Sequence, residues 1–322
     1  MKVLVTGGAG YIGSHTVKDL LNHGYEVLII DNFSSGHREL VSGGEVIQAD
    51  LRNKDQIEDV FRQHKIDAVL HFAALIQVGE SYQDPQKYYL HNLITSLNLL
   101  ESMMHHGVKS FIFSSSAAVY GPPQKTPIEE DHPLAPANPY GMTKFMVEKI
   151  LADYNRAYGL QYVSLRYFNA AGADPEGKLG ELHSPETHLI PNLLLHLLER
   201  NPDFRVFGND FPTPDGTAVR DYIHVTDLAR AHVLALEKLL AGAGSQVLNL
   251  GSSRGYSVLE VIRTAEKVTG KKVSPKFAPR RLGDVPVLLA SNSRAENWLG
   301  WERKYSDLET IIQTAWLWHQ KH

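Results

Sequence analysis

The chain has 322 residues, 43% of them hydrophobic and 21% charged, with a formal net charge of −4 and no cysteine. A sequence pI near 6.5 offers no electrostatic footprint for nucleic acid or an anionic membrane. The missing thiols exclude disulfides, cysteine nucleophiles and iron–sulfur ligation, and fit a reducing, cytoplasmic setting. No apolar run approaches a membrane span, and Lys2-Val3-Leu4-Val5 reads as a strand, not as a signal peptide. Short β-rich runs alternate with helical stretches through the first half: KVLVT (2–6), EVLIID (26–31), EVIQAD (45–50), AVLHFA (68–73), SFIFSS (110–115) and YVSLRYF (162–168). Nearly continuous hydrophobicity in these runs predicts strands buried on both faces, and so an α/β fold with a doubly wound parallel sheet of the Rossmann kind.

After Asn169 the pattern changes. Residues 170–216 are rich in Gly, Pro and Asp, interrupted by one apolar helical run at 188–200. A helix at 225–240 and a strand at 246–251 then return to the sheet, and the tail adds helices at 257–269 and 307–320. At this length, one large domain with a smaller companion is expected. The expected division gives residues 1–169 and 220–251 to the Rossmann domain, and 170–219 and 252–322 to a smaller mixed α/β domain stitched from two segments.

TGGAGYIGSH (6–15) follows the first strand and opens a helix, with Gly7, Gly10 and Gly13 at three-residue spacing. Glycines there let the backbone turn tightly and approach a pyrophosphate, which then faces the helix N-terminus. Asp31 ends the second strand, where a carboxylate accepts adenosine ribose hydroxyls and repels a 2′-phosphate. Neither Asn32 nor Phe33 is basic, so NAD is favoured over NADP. Asp50, at the end of the third predicted strand, either reaches the adenine amine or caps a helix.

NPYGMTK (138–144) reads as a helix start, with Asn138 as cap and Pro139 at the first helical position. Tyr140 and Lys144 then share one face a turn apart. That spacing fits a phenolic acid/base with its tuning cation, yet alone it decides nothing. A free phenol has a pKa near ~10, so service as a base at neutral pH needs nearby positive charge, from Lys144 and the nicotinamide. The sixteen histidines show no HExxH or similar ligand spacing, and ordinary surface and core imidazoles, with no metal, are expected.

GxxGxxG at 7–13 and Tyr140-x-x-x-Lys144 are joined by FSSSAAVYG (113–121), HFAALIQVGES (71–81), RYFNAAGA (166–173), VFGNDFPTPDGTAVRDYIHV (206–225) and FAPRRLGD (277–284). Over nearly its whole length the chain resembles the UDP-hexose 4-epimerases of the extended short-chain dehydrogenase/reductase family. The resemblance implies a catalytic triad of Ser116, Tyr140 and Lys144. It implies NAD contacts from Gly7, Gly10, Tyr11, Ile12, Gly13, Asp31 and Asn32 in the first two strand–turn units. Asp50, Leu51, Phe72, Ala73, Ala74 and Asn92 follow, and Ser114, Tyr140, Lys144 and Phe168 complete the cofactor set. For the nucleotide-sugar it implies Ser116, Tyr140, Asn169, His188, Leu189, Val206, Phe207, Arg220, Tyr222, Arg281 and Asp284, the two arginines gripping the diphosphate.

The implied activity is interconversion of UDP-glucose and UDP-galactose by transient oxidation at sugar C4. Simple proton abstraction fails there, because the C4–H bond is not adjacent to a carbonyl. A homodimer through helices at 85–106 and 139–158 is also implied. Some positions depart from the pattern: Ile76 and Ala118 stand where some members carry Lys and Thr, and His188 where Asn is common. Leu288 stands where members restricted to UDP-glucose and UDP-galactose carry tyrosine and members tolerant of N-acetyl sugars carry a small residue. Epimerases of UDP-N-acetylglucosamine, UDP-glucuronate or a UDP-pentose share the triad. A 4,6-dehydratase needs an acidic pair where this chain has Ala117 and Ala118, and an inactive NAD-binding regulator would not need an intact triad.

Overall fold

The computed structural model describes residues 1–281 and 283–322; Leu282, inside the 277–284 motif, lies outside the described residues. In chain order the first half runs β1 (Lys2–Thr6), α1 (Tyr11–Asn22), β2 (Glu26–Asp31), β3 (Glu45–Gln48), α2 (Lys54–Gln63), β4 (Ala68–His71), α3 (Val78–Gln83), α4 (Pro85–Tyr89), α5 (Thr95–His105), β5 (Ser110–Ser116), α6 (Pro139–Tyr158) and β6 (Gln161–Tyr167). A π-helical turn, Leu90–Ile94, joins α4 to α5. The second half continues with β7 (Asn169–Ala171), α7 (Leu189–Leu197), β8 (Arg205–Phe207), β9 (Val219–His224), α8 (Val225–Leu240), β10 (Gln246–Leu250), β11 (Gly255–Ser257), α9 (Val258–Thr269), β12 (Lys276–Ala278), β13 (Val287–Leu288), α10 (Ser293–Leu299) and α11 (Leu308–His319).

Two compact units emerge: Met1–Gly121 with Pro133–Arg166 and Ala229–Leu248, and Pro122–His132 with Tyr167–Leu228 and Asn249–His322. The first is built on a seven-stranded sheet in the order β10-β6-β5-β4-β1-β2-β3. β1 pairs in parallel with both β2 and β4, so the chain reverses its direction of winding at β1. Val3, Leu4 and Val5 are fully buried, as a strand covered on both faces requires. Leu4, Leu28, Val69, Phe111 and Phe113 meet Ile57, Leu99, Leu100 and Val147 of the helices in one core.

Two strands end before their hydrophobic runs do. β3 stops at Gln48 and β4 at His71, two residues short of the apolar pattern in each case. At β4 the reason is visible: Phe72 and Ala73 both donate backbone N–H groups to the Thr6 carbonyl, at 2.9 and 3.1 Å, which turns the chain out of the ladder.

The second unit has its own core, in which Ile190, Leu193 and Leu194 of α7 meet Val261 and Ile262 of α9 and Ile311 and Ile312 of α11. Its strands form a sheet in the order β11-β9-β13, with β7 also on β9, and a separate pair of β12 with β8. No helix among the described residues is long and apolar enough to cross a membrane.

Candidate functional site

The glycine turn of the first unit divides its labour. Gly7 has φ +72°, and a Cβ there would lie 2.6 Å from the Ala73 nitrogen; a Cβ at Gly13 would collide with the Gly7 carbonyl oxygen. These two glycines let the turn close on itself. Gly10 differs, because an added Cβ would meet only the Gly7 oxygen, at 3.4 Å, and otherwise open space. It caps α1 without a side-chain hydrogen bond, and no acidic residue occupies the first turn. That helix start therefore offers backbone N–H groups and positive potential to an anion. Tyr11, Ile12 and Gly13 form its first turn.

Asp31, 8% exposed, accepts the Ala9 N–H at 3.0 Å and the Phe33 N–H at 2.8 Å, one on each oxygen. Each oxygen keeps acceptor capacity for a hydroxyl. Asp50 is bound by Arg52, whose hydrogen bonds hold its carboxyl well below the usual range, and by Asn32 at 3.1 Å. The cap of α2 is Asn53, so Asp50 does not serve as a helix cap. Leu51 beside it is buried.

Asn92 lies within the π-helical turn, a distortion often found at working sites. Its side chain clasps Leu75 by both the backbone N–H (2.9 Å) and carbonyl (3.1 Å) and donates to Thr143 Oγ1 (3.0 Å). One amide thus ties the Phe72-Ala73-Ala74 segment to α6, next to Lys144.

α6 begins as its sequence predicts: Asn138 accepts the Gly141 N–H at 2.7 Å, with Pro139 at the first helical position. Gly141 has a task that the motif alone does not disclose. A Cβ there would stand 2.5 Å from the Ala118 carbonyl oxygen, so only glycine lets α6 start flush against the turn that follows Ser116. Tyr140, in the first turn of α6, is thereby set near Ser116, close enough for the serine to favour the phenolate. Lys144 Nζ lies 5.9 Å from the Tyr140 ring centroid and donates to the Ser114 carbonyl at 2.7 Å.

Burial pushes the Tyr140 phenol up, while the hydrogen bond from Ser116 pulls it back in part. Burial also pushes Lys144 down to about 7, against the pull of Glu148. Within the chain alone the tyrosine is therefore a phenol, and the tuning cation is itself poised near neutrality. One turn beyond Lys144, Glu148 forms a buried pair with Arg166 (2.5 Å) and accepts from Ser115 at 2.6 Å; Arg166 also donates to the Tyr120 hydroxyl at 2.9 Å. These links fasten α6 to β5 and β6. Glu148, Arg166 and Gly141 are absent from the sequence-derived site because their partners are distant in the chain.

In the second unit Arg220 donates to the carbonyls of Val219 (3.0 Å) and Val285 (2.8 Å) and faces Asp284 at 3.4 Å. Arg281 reaches the other oxygen of Asp284 at 3.1 Å, its guanidinium lying 5.2 Å from the centroid of the Phe207 ring. Burial raises the Tyr222 hydroxyl to about 12, opposed by these two arginines. Asn169 donates to the Asp221 carbonyl at 2.8 Å and stands in register with Tyr222. Val206 is buried, and Phe168 donates its N–H to the Leu250 carbonyl at 3.2 Å. Leu288 of β13 stands in register with Arg220. His188, at the cap of α7 before Leu189, joins a separate group with Glu181, His183 and Glu186.

Ile76 is 41% exposed, and Ala118 donates its N–H to Ser116 Oγ at 3.1 Å. That contact uses only the backbone of residue 118, so alanine there leaves the geometry at Ser116 intact.

Solved structures and curated proteins resemble the chain along its whole length. A protein of Halalkalibacterium halodurans named UDP-glucose 4-epimerase is 50% identical over 322 residues, covering 100% of this chain and 96% of its own. The structure of UDP-glucose 4-epimerase from Brucella ovis in complex with NAD superposes with a TM-score of 0.95 at 48% identity, covering 98% of this chain and 97% of that one. The UDP-glucose 4-epimerase of Bifidobacterium longum, in complex with NAD+ and UDP, superposes with a TM-score of 0.94 at 40% identity, covering 100% of this chain and 98% of that one. Residues 3–251, which span the glycine turn, Ser116, Tyr140 and Lys144, match a family profile, and on this evidence the chain belongs to the NAD dependent epimerase/dehydratase family.

Proposed function

We propose that the protein interconverts UDP-glucose and UDP-galactose with NAD as resident cofactor, acting in the cytoplasm as a homodimer. The observation that carries the reaction is Tyr140, buried in the first turn of α6 where that helix meets the turn after Ser116, and one helical turn from Lys144, itself anchored on Ser114. The residues fit the cofactor. The open side of Gly10 and the uncapped start of α1 suit a pyrophosphate, and Asp31 suits a ribose carrying two free hydroxyls. Bound NAD supplies a hydride acceptor and donor for sugar C4 and a positive ring that favours the phenolate.

Tyr140 takes the proton of the 4-hydroxyl as C4 is oxidised and returns it when the carbinol re-forms. Ser116 holds that hydroxyl and the phenol on one hydrogen-bond line. Lys144 steadies the phenolate, its ammonium oriented by the Ser114 carbonyl. The 4-keto sugar has no stereocentre at C4, and inversion then requires only that it present its other face. Such a sequence needs the nucleotide held firmly and the sugar loosely, which is the work we assign to Arg220 and Arg281 as diphosphate ligands and to Asp284 as a ribose ligand. Asn169, His188, Leu189, Val206, Phe207 and Tyr222 make up the remainder of the proposed UDP-sugar contacts.

The homodimer reading rests on the helical stretches 85–105 and 139–158, where Leu90, Ile94, Met146 and Tyr158 are exposed at 49%, 39%, 37% and 56%. A surface with that many bare apolar side chains on adjoining helices is a candidate for burial against a second copy. Sedimentation at assay concentration checks it: a dimer is expected and a monomer contradicts it. The activity is tested by supplying UDP-galactose to the protein, with and without NAD, quenching the reaction, and only then measuring the UDP-glucose formed with UDP-glucose dehydrogenase and its NAD added to the quenched sample. Turnover without added cofactor is expected; no turnover, with or without NAD, would refute the assignment.

A further inference from the structure

We propose that Glu181, His183, Glu186 and His188 form a binding site for a divalent cation of the zinc class. The four residues follow the spacing E-x-H-x-x-E-x-H in the segment leading into α7. Their donor atoms all lie within 4.8 Å of one another. The Nδ1 atoms of His183 and His188 converge on one oxygen of Glu181, at 2.8 and 2.5 Å, and His188 Nδ1 also lies 3.4 Å from Glu186. The side chains of Glu181 and Glu186 are only 3% and 8% exposed. Two carboxylates removed from water within one cluster demand positive charge, and among the described residues their ion-pair partners are these same two imidazoles.

Two observations outside the cluster fix its frame. Trp318 Nε1 donates to the Glu181 carbonyl at 3.0 Å, and Asn192 Nδ2 donates to the Glu186 carbonyl at 3.2 Å. The backbone that carries the donors is therefore held by α11 and α7; Glu186 Oε1 also accepts the Thr187 and His188 N–H groups at 2.7 and 2.8 Å, which leaves its second oxygen to meet the ion. Two imidazole nitrogens with two carboxylates is a donor set that suits zinc, cobalt or nickel, whereas magnesium and calcium take oxygen alone. Donors around tetrahedral zinc stand roughly 3.3 Å apart, given bonds of about 2.0–2.1 Å. The His–Glu181 contacts must accordingly open by several tenths of an ångström as the ion takes the place of the shared protons. His188, with 46% of its side chain exposed, and His183, with 21%, lie on the side that has room to move.

The test uses the full-length protein, freed of metal with a chelator and dialysed. Zn2+ is titrated against a chromophoric chelator, and Co2+ is bound in parallel for its ligand-field bands. One tight equivalent per chain is expected, with the intense bands of four-coordinate cobalt. His183→Ala and Glu186→Gln should each weaken binding by about 10–100-fold or more, since losing even a partner of a ligand costs that much. Thermal midpoints of the metal-free variants establish that they are folded, and Glu186→Gln keeps the local acceptor should His183→Ala fail. Absence of stoichiometric binding, or binding that neither variant weakens, would overturn the proposal and leave the cluster a hydrogen-bonded set of protonated imidazoles on carboxylates.

Discussion

Tyr140 and Lys144 of the first unit and Arg281 of the second are held in opposite ways. In the first, Tyr140 and Lys144 are 9% and 3% exposed, and Lys144 is held by the Ser114 carbonyl. In the second, the side chain of Arg281 is 57% exposed, and both it and Arg220 lean on one internal acid, Asp284. A group that exchanges a proton must be in place before substrate arrives, since a misplacement of about 1 Å can cost ~10²-fold in rate. A group that grips a diphosphate gains from an internal counter-ion, which keeps the arginine oriented until a better anion displaces it. Changes in the first unit should therefore register in kcat and changes among these arginines in KM.

The largest effect should follow Tyr140→Phe, which removes the proton acceptor and leaves the ring. A fall in kcat on the order of 10²–10⁴ is expected, with nucleotide binding kept; near-normal kcat would remove Tyr140 from its role. Gly141→Ala is subtler, because it touches no substrate. The new Cβ must push away the Ala118 carbonyl, separating Tyr140 from Ser116, and kcat should drop by about 10²-fold while KM holds. Steady-state rates with normal circular dichroism check this; an equal rise in KM would mean that the whole site had shifted.

Arg281→Ala should sharpen the contrast from the other side. Losing one charge-assisted contact should raise KM by roughly tenfold with kcat nearly unchanged, and a loss confined to kcat would count against the arginine as a binding group. Smallest is Leu288→Tyr, at a strand position in register with Arg220. The resemblance puts residue 288 at the edge of the proposed sugar pocket, where leucine would leave room that tyrosine fills. Turnover of UDP-N-acetylglucosamine, measurable but weaker than that of UDP-glucose in the parent chain, should fall by about tenfold relative to UDP-glucose. An unchanged ratio of kcat/KM values would show that residue 288 is not the gate.

What could be read in advance follows from chain distance. The alternation of buried strands with helices announced the doubly wound sheet, and the glycine turn, Asn138 cap and Tyr140–Lys144 pair are local patterns complete within one turn or helix. Strand ends were less legible. Phe72 and Ala73 continue an apolar run, but the Thr6 carbonyl, 66 positions before Phe72, draws both away from the ladder. Supporting contacts were illegible for the same reason: Gly141 needs glycine because of Ala118, Asn92 bridges Leu75 and Thr143, and Glu148 meets Arg166 only after β6 has joined the sheet. The histidine–glutamate cluster has no helical ligand spacing because its donors lie on a loop.

That hydrogen removed from C4 returns to C4 without meeting solvent is tested most directly by running the reaction to equilibrium in heavy water and examining both UDP-hexoses by mass spectrometry and proton NMR. Interconversion with no deuterium at C4 is the expected result. Deuterium incorporated at C4 in step with turnover would mean that the carbon is inverted by proton exchange, and it would contradict the role given to the resident cofactor and to Tyr140.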